Sequence, residues 1–187
     1  RSGVETTSSV VAGSVATVTV STDGETTLTY FARDLAGNAE PAKTLTIRID
    51  QMAPTVAYSG NAGTYTIDQP IAITCTASDS LSGVASDTCE DVIAPASTIG
   101  PGTWTVSAGA TDRAGNTGEG TTTFTVLVTY DSLCALTRQL VEESERTPGH
   151  ANRLGESFCA KLRAAADADA RGNEQAKAGA LGAYINQ

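Results

Sequence analysis

A five-residue pattern, Asp-x-Ala-Gly-Asn, occurs twice in the chain, as DLAGN at Asp34 to Asn38 and as DRAGN at Asp112 to Asn116. Each copy follows one run of alternating apolar residues and precedes another. A run with period two buries one face and wets the other, so it reads as a strand. Each copy then reads as the corner between two antiparallel strands. The residue types suit that place: the carboxylate accepts hydrogen bonds from nearby backbone N–H groups, Gly takes a left-handed conformation, and Asn tolerates it. Asp34, Gly37, Asn38, Asp112, Gly115 and Asn116 are assigned to turn structure on this ground.

The corners also mark a register. Asp34 and Asp112 are 78 residues apart, and Ser2-Gly3-Val4 recurs 80 residues on as Ser82-Gly83-Val84. This is an internal repeat with a small indel. The second copy has room for two strands ahead of its SGV, in residues 53–78, whereas the first has one residue there. The expected layout is a partial β-sandwich over residues 1–52 that lacks its opening strands, a complete sandwich over 53–130, and a helical segment over 131–187.

Three strands are expected in residues 1–52, carried by Ala16, Val18 and Val20, by Leu28, Tyr30 and Ala32, and by Leu45, Ile47 and Ile49. Asp23-Gly24 between the first two reads as a hairpin turn. Pro54 opens the next segment at a position that suits an edge or linker. Four apolar-in strands follow, with Tyr65 and Ile67, then Ile71, Ile73, Cys75 and Ala77, then Trp104, Val106, Ala108 and Ala110, then Phe124, Val126 and Val128. Trp104 shares the inward parity of Val106 and is expected in the core. Residues 79–102 read as one long irregular loop.

From Asp131 the apolar spacing becomes helical. Leu133, Leu136 and Leu140 form one run, Leu154, Phe158, Leu162 and Ala165 a second, and Ala180, Leu181, Tyr184 and Ile185 a third. Asp131 is expected to cap the first helix. Thr147-Pro148-Gly149 should break it from the second, with His150 in the turn, and Gly172-Asn173 should separate the second from the third.

The four cysteines fall as two pairs, Cys75 with Cys89 and Cys134 with Cys159, without any CxxC spacing. Two local disulfides are expected, which implies an oxidising compartment. Four reduced, buried thiols are the alternative.

Charge narrows the partners. The net charge of −9 is concentrated in residues 53–130, which hold seven acidic residues and one basic, Arg113. Neutralising phosphates takes clustered Lys and Arg, so nucleic acid is not an expected partner. No apolar run approaches the roughly 20 residues that cross a bilayer. The start, at Arg1, shows no basic region followed by an apolar core, and the sequence is expected to be a piece of a longer one.

The acidic residues admit two readings. Asp79, Asp87, Glu90, Asp91 and Asp112 are oxygen donors, and Ca²⁺ takes six to eight oxygens. Asp79, Asp87 and Asp112 are therefore candidate calcium ligands. No loop has a calcium-binding spacing, however, and solvated acidic turns are the plainer reading, with no metal or cofactor expected. Catalysis is not expected either: the one histidine is His150, and no serine or cysteine sits in a recognisable nucleophile setting.

The DxAGN corner, the Asp23-Gly24 turn, the SGV bend and the IDQMAPT linker together resemble the bacterial immunoglobulin-like repeats strung in series on secreted enzymes and surface adhesins. The resemblance covers residues 1–130 and implies an antiparallel β-sandwich that serves as spacer or adhesive module. The Cys75 and Cys89 pair departs from it, having no counterpart in the first copy. Residues 131–187, above all the GN…AKAGALGAYINQ portion, resemble the small helical FIMAH module found at the C-terminal end of secreted bacterial proteins. Members of that family usually continue for about another helix, so a truncated module is expected.

These expectations converge on a mainly β, secreted or cell-surface chain that works without catalysis. It is read as a spacer or adhesion region beside neighbouring domains of a parent chain. The alternative is an accessory module, calcium-dependent in one version, whose partner is a glycan or a surface protein met by the acidic loop of residues 79–102.

Overall fold

The computed structural model describes residues 12–13, 17–144 and 148–186, with the backbone alone for 148–151. The chain is mainly β, with helices at its C-terminal end. Strands β1 (Gly24–Tyr30) and β2 (Lys43–Ile49) pair antiparallel, with Thr26 opposite Ile47 and Leu28 opposite Leu45. Strands β3 (Thr55–Ser59), β5 (Pro70–Ser78) and β7 (Val92–Pro95) form a sheet in the order β3-β5-β7. Strands β4 (Thr64–Thr66), β6 (Val84–Asp87), β8 (Gly102–Asp112) and β9 (Thr117–Leu127) form another, in the order β4-β9-β8-β6. Within it β4 runs parallel to β9, and Tyr65 lies beside Val126. A one-turn helix, α1 (Ala96–Ile99), follows β7. Helices α2 (Tyr130–Ser144), α3 (Pro148–Ala170) and α4 (Glu174–Ile185) end the chain.

The chain forms two compact units. One comprises Arg1–Val56, Thr76–Cys89 and Ala108–Gly120, and the other Ala57–Cys75, Glu90–Ser107 and Thr121–Gln187.

In the second unit the period-two pattern pays out as burial. Ile71 and Ile73 of β5 pack with Tyr65, Ala96, Phe124 and Val126, all 6% exposed or less. Tyr65 meets Phe124 edge to face at 5.9 Å. Its hydroxyl accepts from Ala62 N at 2.9 Å and donates to Gly60 O at 3.3 Å, so the ring is buried without stranding its polar end. Outside the core, β8 and β9 present paired threonines, Thr103 with Thr125 and Thr105 with Thr123, whose hydroxyls bond across the strands.

The helices of this unit have a core of their own. Cys134, Cys159 and Leu162 are buried, with Tyr130, Leu133, Leu181 and Tyr184 packed against them. A Cys134–Cys159 disulfide joins α2 to α3. Gly155 lets α3 lie close to α2: a Cβ there would stand 3.1 Å from the Arg138 side chain, a tight contact. Asn173 caps α4, its side chain accepting from Ala176 N at 3.0 Å.

In the first unit the chain around β3 lies hard against β9. A Cβ on Gly118 would collide with the Pro54 carbonyl, and one on Gly120 would stand 2.5 Å from Val56 O. Glycine at alternate positions is what lets the two backbones come so close.

Several expectations are corrected. Residues 17–20 form no strand and Val18 is 55% exposed, while Ala16 and Ser2-Gly3-Val4 lie outside the described residues. Alternation makes a strand only where a partner ladder exists to take its backbone groups. Gly24 opens β1 instead of turning a hairpin, and Asp23 accepts a hydrogen bond from Gln51 N at 3.0 Å. Residues 79–102 contain β6, β7 and α1. Trp104 is 41% exposed, because it sits at the start of β8 with its indole N–H donating to Gly100 O at 3.1 Å, away from the buried cluster. Val128 falls past the end of β9 and is 44% exposed.

In the helical part, Asp131 lies inside the first turn of α2 and is not its cap. Thr129 takes that role: its Oγ1 accepts from Ser132 N at 3.0 Å, and Ser132 Oγ accepts from Thr129 N at 2.9 Å. The backbone of His150 is already in α3, and Thr147 lies outside the described residues. Leu140 and Ile185 are exposed, not packed.

Candidate functional site

The two corners have the same backbone. Asp34 N donates to Asn38 O at 2.9 Å and Asp112 N to Asn116 O at 3.0 Å. Gly37 and Gly115 both adopt positive φ, 93° and 95°. In each corner one carboxylate oxygen accepts the Asn N–H at 2.8 Å and the other accepts the Asn side-chain amide. The glycines take the left-handed conformation expected of Gly37 and Gly115, but Asn38 and Asn116 do not, and instead serve Asp34 and Asp112 as N–H and side-chain amide donors.

Their surroundings differ. Asp34 is exposed, and the Asn38 hydrogen bonds hold its carboxyl below the usual range. Asp112 is only 2% exposed and lies with Asp50 and Asp79, one carboxylate oxygen of each being within 4.8 Å of the others. All three residues belong to the first unit. Asp50 follows directly on β2, Asp79 follows β5, and Asp112 ends β8.

Backbone donors fix each carboxylate. Asp79 Oδ1 accepts from Leu81 N at 3.1 Å and Gly83 N at 2.7 Å, and Asp112 Oδ1 repeats the pattern with Ala114 N at 2.9 Å and Asn116 N. These are Asx turns extended by one more bond. Asp50 Oδ1 accepts from Met52 N and Oδ2 from Ser82 N, both at 3.0 Å. The Ser82 hydroxyl beside it, with these N–H groups, holds the Asp50 carboxyl below the usual range. Asn116 Nδ2 donates to Asp50 O at 3.1 Å, and Arg113 N to Gly83 O at 3.0 Å. The strand end at Asp50, the 79–83 loop and the 112–116 corner are thus tied into one hydrogen-bonded knot. An open cleft of about 420 Å³, lined by Glu25, Arg48, Asp50, Leu81, Ser82 and Arg113 among others, adjoins it.

The chemistry this arrangement offers is hard-oxygen ligation. A depressed pKa such as that of Asp50 is the opposite of what a general acid needs.

Of the candidate calcium ligands, Asp79 and Asp112 come together and Asp87 does not join them. Asp87 is exposed and its Oδ1 accepts from Cys89 N at 3.0 Å, a local turn. Asp91 Oδ1 accepts from Cys75 N at 2.8 Å. Asp50 is the member that sequence reading misses. Its signal was its place at the end of an alternating run, one residue into the IDQMAPT linker. All four cysteines are disulfide-bonded, Cys134 with Cys159. No described helix is long and apolar enough to cross a membrane.

No protein-family model matches the chain, and no curated protein sequence matches it either.

Proposed function

We propose that the chain is a non-catalytic extracellular spacer, built of immunoglobulin-like β-sandwich repeats and a C-terminal helical module, within a larger secreted or surface bacterial protein. One observation carries this reading: the connection from β2 to β3 is tied down at Asp50, Gln51 and Pro54. Gln51 bonds Asp23 and Ser21, Asp50 bonds Ser82, Asn116 bonds the Asp50 carbonyl, and Pro54 is buried. A chain that transmits reach needs such fixed joints, since a free linker of the same length would behave as a flexible coil. The disulfides support export to an oxidising compartment. The test is retention of the purified chain on a glycan array and on intact bacterial and host cell surfaces. The spacer predicts background retention on all of them, and saturable retention on any one overturns it.

A second reading, an accessory module that binds a glycan, is favoured by Trp104. It leaves 41% of its surface exposed beside Gly102, and an exposed indole is a platform for the apolar face of a sugar. In this reading the array shows retention that Trp104→Ala abolishes.

A further inference from the structure

We propose that the free edge of β2 pairs antiparallel with β2 of a second copy of this chain, centred on Thr46, making a four-stranded sheet across a two-fold axis. Strands β1 and β2 form a two-stranded sheet, so each has an open edge. None of the seven residues of either strand is buried. Leu28, Tyr30, Leu45, Ile47 and Ile49 share one face, with Leu45 50% and Tyr30 47% exposed. A lone two-stranded sheet is marginal in water, and further strands along an apolar face are what make it stable.

The β2 edge lacks the usual guards. Open edges are blunted by proline, by bulges or by charges that repel a newcomer. The register of β2 on β1 runs unbroken from Lys43 to Ile49, with neither bulge nor proline. Its two cations are already matched within the chain, Lys43 to Glu40 at 3.0 Å and Arg48 to Glu25 at 2.9 Å. In the other repeat the strand that follows the DxAGN corner is β9, and it has a neighbour on both sides, β8 and β4.

Self-complementarity makes a second copy the partner. Centred on Thr46, an antiparallel pair sets Lys43 opposite Ile49, Thr44 opposite Arg48 and Leu45 opposite Ile47, each twice, and Thr46 opposite Thr46. All seven residues of β2 are paired in this register. It keeps Leu45, Ile47 and Ile49 of both copies on one face, because residues directly opposite share a face. Each cation falls opposite a neutral residue, so no like charges meet. Apolar and Thr–Thr pairs across strands are favourable, whereas like charges directly opposite are not. Paired with itself in the same way, β1 would set Leu28 opposite Thr26 and Tyr30 opposite Gly24, which offers less. A two-fold contact uses the same patch on both subunits, so pairing at β2 closes at two copies.

The test is sedimentation velocity of the full chain from about 10 µM to about 1 mM, which brackets a Kd on the order of 10⁻⁴ M for an interface this small. Monomer is expected at the low end and dimer at the high end. Thr44 supplies a pair of variants specific to the register, because within the chain its cross-strand partner is Thr29. Thr44→Arg sets a like charge opposite Arg48 of the partner subunit, twice per dimer, and should weaken association about two- to thirtyfold. Thr44→Glu sets an opposite charge there and should tighten it. Both should keep the far-ultraviolet spectrum of the unsubstituted chain at the lowest concentration. Amide exchange of the unsubstituted chain is a separate reading that needs no variant: β2 should gain protection as the dimer forms. A chain still monomeric at about 1 mM overturns the proposal. So does a dimer whose Kd the two Thr44 variants leave unchanged or shift in the same direction, which assigns association to another surface, and so does a dimer in which β2 gains no protection.

Discussion

Asp34 and Asp112 are the same residue in the same corner, and they differ in what lies around them. Asp34 is held mainly by Asn38, with smaller contributions from the Ala36 and Gly37 N–H groups, and is exposed, whereas Asp112 is buried and accepts from Ala114 N at 2.9 Å. Removing an acceptor in a buried place leaves its donors unsatisfied, at about 1–3 kcal/mol each. In metal-free buffer Asp112→Ala should therefore lower the unfolding free energy by at least about 2 kcal/mol, and Asp34→Ala by much less, as read by the shift in urea midpoint at constant m. Equal effects would mean that the corner, and not its burial, sets the energy. The motif made both corners legible in the sequence. The cluster was not, because Asp50 reaches Asp112 across 62 residues and nothing in the local pattern of either predicts the meeting.

Elements were legible where a pattern had room to repeat. β5 shows alternate burial from Ile71 to Ala77, and β9 buries Phe124 and Val126. β6 and β7 have four residues each, and the register of β6 against β8 shifts between Val84 and Ser86, so no period survives to be read. Helix existence was legible from spacing, while the start of α2 turned on chemistry one residue before it. Thr129 and Ser132 cap each other reciprocally, with Leu133 N donating to Thr129 O at 3.0 Å. Thr129→Ala should cost about 1 kcal/mol, and Asp131→Ala, at a first-turn position, a few tenths through the helix dipole. Thermal denaturation followed by far-ultraviolet circular dichroism distinguishes the two. A larger loss from Asp131→Ala would return the cap to that residue.

Over the whole chain, two kinds of constraint set how stability responds to conditions. The first is covalent. Cys134 and Cys159 are 25 residues apart, and a loop of that length contributes roughly 3.5 kcal/mol in the chain-entropy picture. Replacing both with serine should loosen α2 from α3 before it affects the strands, visible as early loss of amide protection in the helices alone. The second is electrostatic. Asp34 and Asp50 are held below their ordinary pKa by hydrogen bonds from Asn38 and Ser82, and Glu40 by Lys43. A carboxyl with a depressed folded pKa stabilises above its unfolded value, and that stability is lost as pH falls through the folded pKa. Lys177, raised mainly by Asp169 at 2.7 Å and then by Glu174, acts in the opposite sense. Its contribution is complete below the unfolded lysine value and is lost as pH rises through the folded one. The urea midpoint should then be flat between these limits, fall below about pH 4 and fall again above about pH 10.4, the unperturbed carboxyl and lysine values. Asp50→Asn should remove part of the acid limb and leave the alkaline limb unchanged, because the groups involved share no partner. An acid limb that survives in Asp50→Asn, Asp34→Asn and Glu40→Gln together would assign acid lability to other carboxylates.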